Sequence, residues 1–571
     1  MMIQTIKMKR APGCSPRVFG WFSTALLSLM CAPAFGMTEV GQGGSGLSPS
    51  PKLVVVIAID QLRRDRLFES THSGLGRLVQ AGRIFTDGQV AHGITTTCPG
   101  HASILTGLNP EHHGLPSNSF LDRATGKVRY CVGSDDPAHS VLGGKKGRSP
   151  TNLRADTLGD WLKAKNPEHR VFSVSAKDRA AITLGGMHPD GVYWFDSAQG
   201  RFTTSGYYEN ALPSYVLAFN GQAPSIDGFM RGFPERWDHA AGAARVDDYH
   251  GEDPRYDRVS GHPLKAGTAE EIAKQVYASP FIDEATIALA QLMVTEEALG
   301  QGSALDLLSI SLSATDTVGH LYGPRSAEAA DALDRLDQML GQFLSGLDEQ
   351  LGANNYWVVL TADHGVAELP EWARENNALN CSSDEGRLTP IALYLGLNWH
   401  LYRAFTWPFG DPRTLLSSDG GHLYVQEAGL LKFGLTRATV VAEVITYLES
   451  KPEIEKVWGI EALSTASGEL AEAMKRSLVP DRLGDVLVQM AEGCLIDELG
   501  TTHGSPHNYD RDIPIVFYGA GIEPGKIPGP AYSIDIAATL AHYLGVVPDH
   551  RLDGAVLDLT GKARLQPVPD D

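Results

Sequence analysis

The stretch LVVVIAID, residues 53–60, decides the fold. Its first seven residues are apolar and mostly β-branched, which is typical of a strand buried on both faces of a parallel sheet. Similar runs recur at VFSVSA (171–176), DLLSISLSA (306–314), YWVVLTA (356–362) and IPIVFYG (513–519). Amphipathic helical patterns lie between several of them, as at Ala327 to Leu351. Strands that alternate with helices predict an α/β fold with a doubly wound, mostly parallel sheet.

Asp and His residues stand where these predicted strands end. Asp60 follows the first run, and Asp316 follows the third, with His320 four residues later on the same face of a helical turn. The adjacent pair Asp363-His364 follows the fourth run. Ligands of open α/β sheets bind outside the carboxyl ends of the strands, so these side chains are expected to converge. One more imidazole, that of His503, precedes the last predicted strand.

This combination of side chains predicts a metal centre. Carboxylates and imidazoles without thiolates suit zinc in catalytic sites. The set is too large for one tetrahedral ion, and two ions about 4 Å apart are typical of phosphoryl-transfer sites. A lone Asp at a strand end commonly caps the next helix, and a lone His is commonly structural, so the prediction rests on the whole set.

A nucleophile is predicted in ITTTCPGHASILTG, residues 94–107. Thr97 stands at the apparent N-cap of a helix whose first turn contains Pro99. A helix N-terminus stabilises an anion, and a bound metal favours the alkoxide. Thr95 and Thr96 remain alternatives for the same role.

Composition sets limits on the class of protein. The 571 residues are 43% hydrophobic and 20% charged, which excludes a disordered or collagen-like chain. The net charge of −20 argues against binding of nucleic-acid backbone. We expect one catalytic domain over residues 53–571, with insertions near 190–270 and 375–490, after a flexible Gly/Ser/Pro-rich lead-in at 37–52.

The first 36 residues have the pattern of a secretory signal peptide. Basic residues precede a short apolar run, and small residues follow it. The run is too short for a bilayer span, so we expect a periplasmic or secreted protein with no membrane span after cleavage. Cys31 leaves a lipoprotein possible. The cysteines that remain, namely Cys98, Cys131, Cys381 and Cys494, allow three pairings, and none has the CxxC spacing of a zinc site.

In this order, the motifs resemble the alkaline phosphatase superfamily, in the branch that nucleotide pyrophosphatase/phosphodiesterases share with the monomeric PafA-type bacterial alkaline phosphatases. The nucleophile motif of that branch, Thr-x-Pro-Gly/Asn-His, appears as TCPGH at residues 97–101. The resemblance implies a monomer with two zinc ions. It places one ion on Asp316, His320 and His503, and the other on Asp60, Asp363 and His364, with Thr97 at the second ion.

The resemblance also indicates the substrate. Lys177 and Arg179 match the Lys-x-Arg pair of the monoesterase-type members, and both side chains reach the site if the strand pleat continues. Asn118 stands where this branch holds a phosphoryl oxygen. A monoester carries one more negative charge than a diester, so two extra cations favour the monoester. Sulfatases need Cys or Ser where Thr97 stands, and His101 replaces the Arg of their signature.

These features predict an exported zinc-dependent alkaline phosphatase that hydrolyses small phosphate monoesters through a phosphothreonine intermediate. The alternative is a phosphodiesterase or nucleotide pyrophosphatase with the same two-metal site. The second ester group of its substrate would bind in a pocket built from the 190–270 insertion. A third hypothesis is a zinc- or phosphate-binding protein without activity, against which the complete ligand set argues. The physiological ester and the native metal stay open.

Overall fold

The computed structural model describes Leu47 and residues 50–123, 125–221, 228–239, 247–383, 385–407, 410–419 and 422–561. The predicted signal peptide at 1–36 and most of the lead-in at 37–52 lie outside the described residues. The described residues belong to one compact unit. Within the described part of the chain, no helix is both long and apolar enough to cross a bilayer.

A nine-stranded sheet organises this unit. Its strands, in chain order, are β1 (Leu53–Ile59), β2 (Arg83–Gln89), β3 (Arg170–Ser175), β4 (Gly191–Asp196), β5 (Arg201–Thr203), β6 (Asp306–Leu312), β7 (Tyr356–Thr361), β8 (Ile515–Gly519) and β9 (Gly525–Tyr532). They lie in the spatial order β9-β2-β8-β7-β1-β6-β3-β4-β5. Adjacent strands are parallel except where β8 meets β7 and β2, and where β5 meets β4. The predicted α/β class with a mostly parallel sheet is confirmed.

The middle of the sheet explains the continuous apolar run at its start. Every residue of β1 is buried, because β6 and β7 flank it and helices cover it. Ile59 pairs with Leu312 of β6, and Ala58 pairs with Thr361 of β7. The three strands therefore end at the same level, and the residues that follow them meet at one edge of the sheet.

The run IPIVFYG differs from the other predicted strands in direction. It forms β8, which is antiparallel to both of its neighbours. An antiparallel strand begins at the edge where parallel strands end. This direction explains why His503 precedes its strand, whereas Asp60 and Asp363 follow theirs.

Helices connect the strands and complete the core. Their bounds are Gly74–Ala81, Thr97–Thr106, Pro110–His113, Leu158–Lys165, Asp178–Gly185, Ser214–Asn220, Ala269–Tyr277, Phe281–Glu296, Ala314–Tyr322, Ala327–Leu351, Pro370–Glu375, Pro390–Leu401, Glu427–Phe433, Arg437–Leu448, Ile460–Thr465, Glu469–Lys475, Asn508–Arg511 and Asp535–Leu544. The helix at Ala327–Leu351 has the predicted bounds, and its apolar side packs into the core.

The two predicted insertions contain regular structure. The segment 190–270 contributes β4 and β5 to the central sheet and carries the short pair Arg236–Trp237 and His262–Pro263. The segment 375–490 contains a second, antiparallel sheet and an apolar cluster of its own. The strands of that sheet lie in the order Leu416–Asp419, His422–Val425, Val486–Met490 and Ile454–Gly459. The predicted domain boundaries stay a prediction.

Candidate metal centre and phosphate site

Three neighbouring strand ends deliver the carboxylates of the site. Asp60 follows β1 directly, and Asp363 follows β7 after one residue. After β6 the chain enters the helix Ala314–Tyr322, whose first turn carries Asp316. His320 lies one turn further along that helix. The segment before β8 brings His503 to the same edge.

The six predicted metal ligands form two clusters. Asp60, Asp363 and His364 offer ligand atoms that lie within 4.8 Å of one another, and so do Asp316, His320 and His503. The first cluster is fully buried. The second is more open, since the His320 side chain is 35% exposed. The His364 and His503 rings stack with centroids 3.6 Å apart, which brings the two clusters side by side.

Backbone carbonyls orient the three imidazoles. The Nδ1 atom of His320 lies 2.7 Å from the Thr501 oxygen, and that of His503 lies 2.7 Å from the Thr95 oxygen. His364 Nδ1 lies 3.0 Å from the Gly365 oxygen. A carbonyl only accepts, so each Nδ1–H donates, and each Nε2 presents its lone pair to a cluster. Histidines that bind metals are held in this way.

Lys177 lies between the two clusters. Its Nζ donates to Asp60 Oδ2 and to Asp316 Oδ2, each at 2.5 Å. Burial, together with the carboxylates of Asp316 and Asp363, raises the pKa of Asp60 well above its ordinary value. Burial by itself would lower the pKa of Lys177, but the Asp316 and Asp60 carboxylates outweigh it and raise that pKa. The site thus encloses three buried carboxylates, two of which share the Lys177 ammonium.

The donor set fits divalent cations. Burial lowers the pKa of His364 to about 3, so this ring is neutral and available as a ligand at neutral pH. Among the described residues, Asp60 Oδ1 and His364 Nε2 are buried and make no hydrogen bond. Buried polar atoms without partners are costly. A dication bound by both atoms would remove this cost.

Thr97 begins the helix Thr97–Thr106 beside the buried cluster. The helix packs closely on Asp363, because a Cβ at Gly100 would lie 2.3 Å from the Asp363 carbonyl oxygen. The N-cap is Thr96 and not Thr97, so the predicted position of Thr97 is corrected by one residue. Its hydroxyl still lies in the first turn, where the positive end of the helix dipole favours an anion.

Arg179 and Asn118 contact the start of the helix Thr97–Thr106. Arg179 Nη2 donates to Thr97 Oγ1 at 3.2 Å. Asn118 Oδ1 accepts the backbone N–H of Cys98 at 2.9 Å, which ties this amide to the start of the same helix. Cys98 forms a disulfide with Cys131, and the other two cysteines of the described chain, Cys381 and Cys494, form a second one.

The pleat that was expected to carry Lys177 and Arg179 does not continue. The strand β3 ends at Ser175, Lys177 is the N-cap of the helix Asp178–Gly185, and Arg179 lies in its first turn. Both side chains reach the site from this turn. The intervening residue, Asp178, points elsewhere and binds Tyr130 Oη at 2.6 Å and the Arg148 guanidinium.

Gln61, which the sequence did not single out, and His101, the last residue of the TCPGH motif, also contact the ligands. Gln61 donates from Nε2 to Asp316 Oδ1 at 3.0 Å and from its backbone N–H to Asp363 Oδ1 at 3.1 Å. It thereby links a carboxylate of each cluster, and its φ is 69°. His101 Nδ1 lies 3.0 Å from Asp363 Oδ2, and its Nε2 lies 2.8 Å from Ser311 Oγ. The position of Gln61 next to a strand end is the one sequence feature that indicates a role at the site, because Gln is not a typical metal ligand.

Several known proteins are similar to this chain over most of its length. The model of the type I phosphodiesterase/nucleotide pyrophosphatase family matches residues 54–503. The alkaline phosphatase PhoK of a Sphingomonas species is 33% identical over 89% of this chain and 91% of its own length. The alkaline phosphatase PafA of Elizabethkingia meningoseptica is 28% identical over 87% of this chain and 92% of its own length.

Solved structures of PafA share the fold. The wild-type crystal structure superposes with a TM-score of 0.75 at 26% identity, covering 87% of this chain and 96% of PafA. A second PafA structure carries four simultaneous substitutions, of a threonine to serine and of an asparagine, a lysine and an arginine to alanine.

Proposed function

The chain belongs to the type I phosphodiesterase/nucleotide pyrophosphatase family, among its PafA-type alkaline phosphatases, and on that premise we propose an exported zinc-dependent enzyme that hydrolyses phosphate monoesters through a phosphothreonine intermediate. The observation that carries the proposal is the position of Thr97. It lies at a helix N-terminus beside the Asp60/Asp363/His364 cluster, and its hydroxyl contacts Arg179. The four residue types substituted together in PafA also occur here as Thr97, Asn118, Lys177 and Arg179, which supports their assignment to the reaction.

Asp60, Asp363 and His364 would hold one zinc ion with Thr97, and Asp316, His320 and His503 would hold the other. Such a pair supplies Lewis-acid activation of the attacking oxygen and stabilisation of the leaving oxygen. Carboxylate and imidazole ligands without thiolate match that metal.

The residues of the chain itself place the phosphoryl group. Thr97 Oγ1 forms a bond to phosphorus as the ester P–O bond breaks, and the alcohol leaves. Water then hydrolyses the phosphothreonine, which releases phosphate and restores the hydroxyl. The helix N-terminus and the Arg179 guanidinium, 3.2 Å from the threonine oxygen, stabilise the negative charge throughout.

Asn118 and Lys177 favour a monoester for separate reasons. The oxygen of the Asn118 amide is engaged by the Cys98 N–H, so its NH2 group is the end that can donate to an equatorial oxygen. Lys177 adds a buried cation at the same place. Two cations next to the transferring group stabilise a dianion more than a monoanion, so a monoester gains more than a diester.

Two observations support export. The N-terminal sequence has the signal-peptide pattern, and the four cysteines after residue 36 form two disulfides. Disulfides persist in oxidising compartments and are rare in the cytosol. We therefore propose a periplasmic or secreted location.

The decisive experiment compares Thr97→Ala with Thr96→Ala in the zinc-loaded protein. We expect Thr97→Ala to lower kcat for an aryl phosphate monoester by about 10⁴-fold or more, because the nucleophile is lost. Thr96→Ala removes the neighbouring hydroxyl and should keep turnover within about tenfold. Acid quenching during turnover should trap a phosphorylated Thr97 peptide in the wild type. Undiminished phosphate release by Thr97→Ala would refute the proposal, and a preference for a bis-ester over the monoester would identify a diesterase.

A further inference from the structure

A third cluster of metal-ligand side chains lies apart from the catalytic edge. His239, His262 and Glu328 offer ligand atoms within 4.8 Å of one another. Their side chains are 6%, 3% and 1% exposed. Glu328 lies in the first turn of the helix Ala327–Leu351, and His262 lies in the short strand pair that follows the central sheet's β5 in the chain.

The buried carboxylate of Glu328 lacks the partners that such a group needs. Neither of its oxygens makes a hydrogen bond within the described part of the chain. The Trp237 indole, whose ring centroid lies 4.9 Å from that of His262, and the Arg335 guanidinium donate instead to Asp331, at 2.8 and 2.6 Å. A buried anion without hydrogen bonds is strongly destabilising unless a cation neutralises it.

The two histidines present nitrogen atoms to this carboxylate. His262 Nδ1 lies 2.9 Å from the Tyr256 carbonyl oxygen, so it donates there and leaves the Nε2 lone pair free. That Nε2 lies 3.3 Å from Glu328 Oε1 and makes no hydrogen bond. His239 Nε2 lies 3.5 Å from the same oxygen and 3.0 Å from Asp247 Oδ1. A second acidic group thus borders the cluster.

We propose that His239, His262 and Glu328 bind a divalent first-row transition metal, with Asp247 available as a fourth ligand. Two imidazoles and carboxylate oxygens in a buried site form a donor set that suits zinc. The orientation of His262 by a backbone carbonyl is the arrangement that metal-binding histidines use. Through His262 and Glu328, the site joins the strand pair Arg236–Trp237 and His262–Pro263 to the helix Ala327–Leu351. That helix directly follows Ala314–Tyr322, which carries Asp316 and His320. The role of the site is structural support of the more open catalytic cluster, which goes beyond the proposed function.

A cluster of similar side chains at the surface differs from this buried cluster in its hydrogen bonds. Glu111, His112 and Asp553 also offer three ligand atoms, but this cluster is at the surface. Asp553 Oδ2 there accepts hydrogen bonds from the Asn109 backbone and side chain and lies 2.8 Å from His112 Nδ1. Its carboxylate is already satisfied, so no metal is expected.

The test measures the zinc content of zinc-loaded, desalted protein by inductively coupled plasma mass spectrometry. Glu328→Gln should carry one zinc per chain less than the wild type, whereas the matched control His112→Gln should carry the wild-type amount. The zinc content of Glu328→Gln is also measured with Asp316→Asn present in both proteins. Because Asp316→Asn removes a ligand of the catalytic cluster, a remaining difference of one zinc per chain is then assigned to the Glu328 site. Equal zinc in Glu328→Gln and wild type, in either background, overturns the proposal and identifies a buried ion pair.

Anomalous diffraction on wild-type crystals gives a second measurement that does not depend on the folding of a variant. Data collected above and below the zinc edge should show a peak bounded by the Nε2 atoms of His239 and His262 and by the Glu328 carboxylate. Ordered side chains without a peak in zinc-soaked crystals would exclude the site.

Discussion

The metal-ligand edge and the phosphate side of the site surround the same threonine but are built differently. The metal-ligand edge consists of Asp60, Asp316, His320, Asp363, His364 and His503, and the phosphate side consists of Asn118, Lys177 and Arg179. The carboxylates of the edge follow parallel strands that end in register, and carbonyls orient its histidines. The phosphate side stands on a loop and on the start of one helix.

In the proposed function, the metal-ligand edge supplies the chemistry that all phosphate esters share, and the phosphate side distinguishes a monoester from a diester. In the proposed mechanism, metal ions held by these ligands would act on the attacking and leaving oxygens, which every ester has. Cations and amides beside the transferring group act on its equatorial oxygens, whose charge differs between esters. Variants of the two regions should therefore differ in whether monoester and diester activities fall together.

Of the two regions, the metal-ligand edge is expected to show the larger effect. Asp60→Asn should lower kcat/KM for both a monoester and a bis-ester by about 10³-fold, since it weakens a ligand of the buried cluster. The control is Asp306→Asn, at the opposite end of the neighbouring strand β6, where the buried carboxylate pairs with Arg170. We expect that variant to lose stability and to keep its turnover. Steady-state kinetics on both substrates, bound zinc and denaturant unfolding are measured for each variant. A loss of activity limited to the monoester would contradict the assignment of Asp60 as a metal ligand.

A smaller and selective effect is expected at the phosphate side. The double variant Lys177→Ala/Arg179→Ala should lower monoester kcat/KM by about 10²–10³-fold and diester kcat/KM by less than about tenfold. The reason is the extra charge of the monoester, which loses two cations at once. Lys163→Ala, which removes a cation paired with Asp190 at the surface, is the control and should change neither activity. Equal losses of kcat/KM on both substrates would show that the phosphate side does not distinguish a monoester from a diester.

The same contrast shows how far the sequence could predict the site. Strand ends are visible in the sequence as apolar runs that stop at a polar residue, so the sequence alone predicts the positions of Asp60 and Asp363. Asn118, Lys177 and Arg179 came from the family motif, because loops and helix starts have no comparable pattern. The pleat expected at Arg179 was wrong, since a helix begins at Asp178 and local propensity did not reveal it. The roles of Gln61 and His101 depend on contacts between distant segments, which no local pattern encodes.

The smallest effect on activity is expected from the two disulfides. Removing the longer-span disulfide should cost more stability, whereas removing the shorter-span disulfide should cost more activity. Cys98–Cys131 spans 33 residues and Cys381–Cys494 spans 113. Loop entropy predicts that replacing the longer-span pair by alanines costs about 1 kcal/mol more in unfolding free energy. The shorter-span pair supports the site, because Asn118 contacts the backbone N–H groups of both of its cysteines.

Cys98→Ala/Cys131→Ala should therefore lower monoester kcat/KM by about tenfold, whereas Cys381→Ala/Cys494→Ala should leave it within about twofold. Denaturant unfolding and kinetics on the same preparations measure both quantities. If the short-span variant is fully active, the disulfide does not position Asn118. In that case the contact between Asn118 Oδ1 and the Cys98 N–H is sufficient to hold the phosphate side, just as carbonyls hold the histidines of the metal-ligand edge.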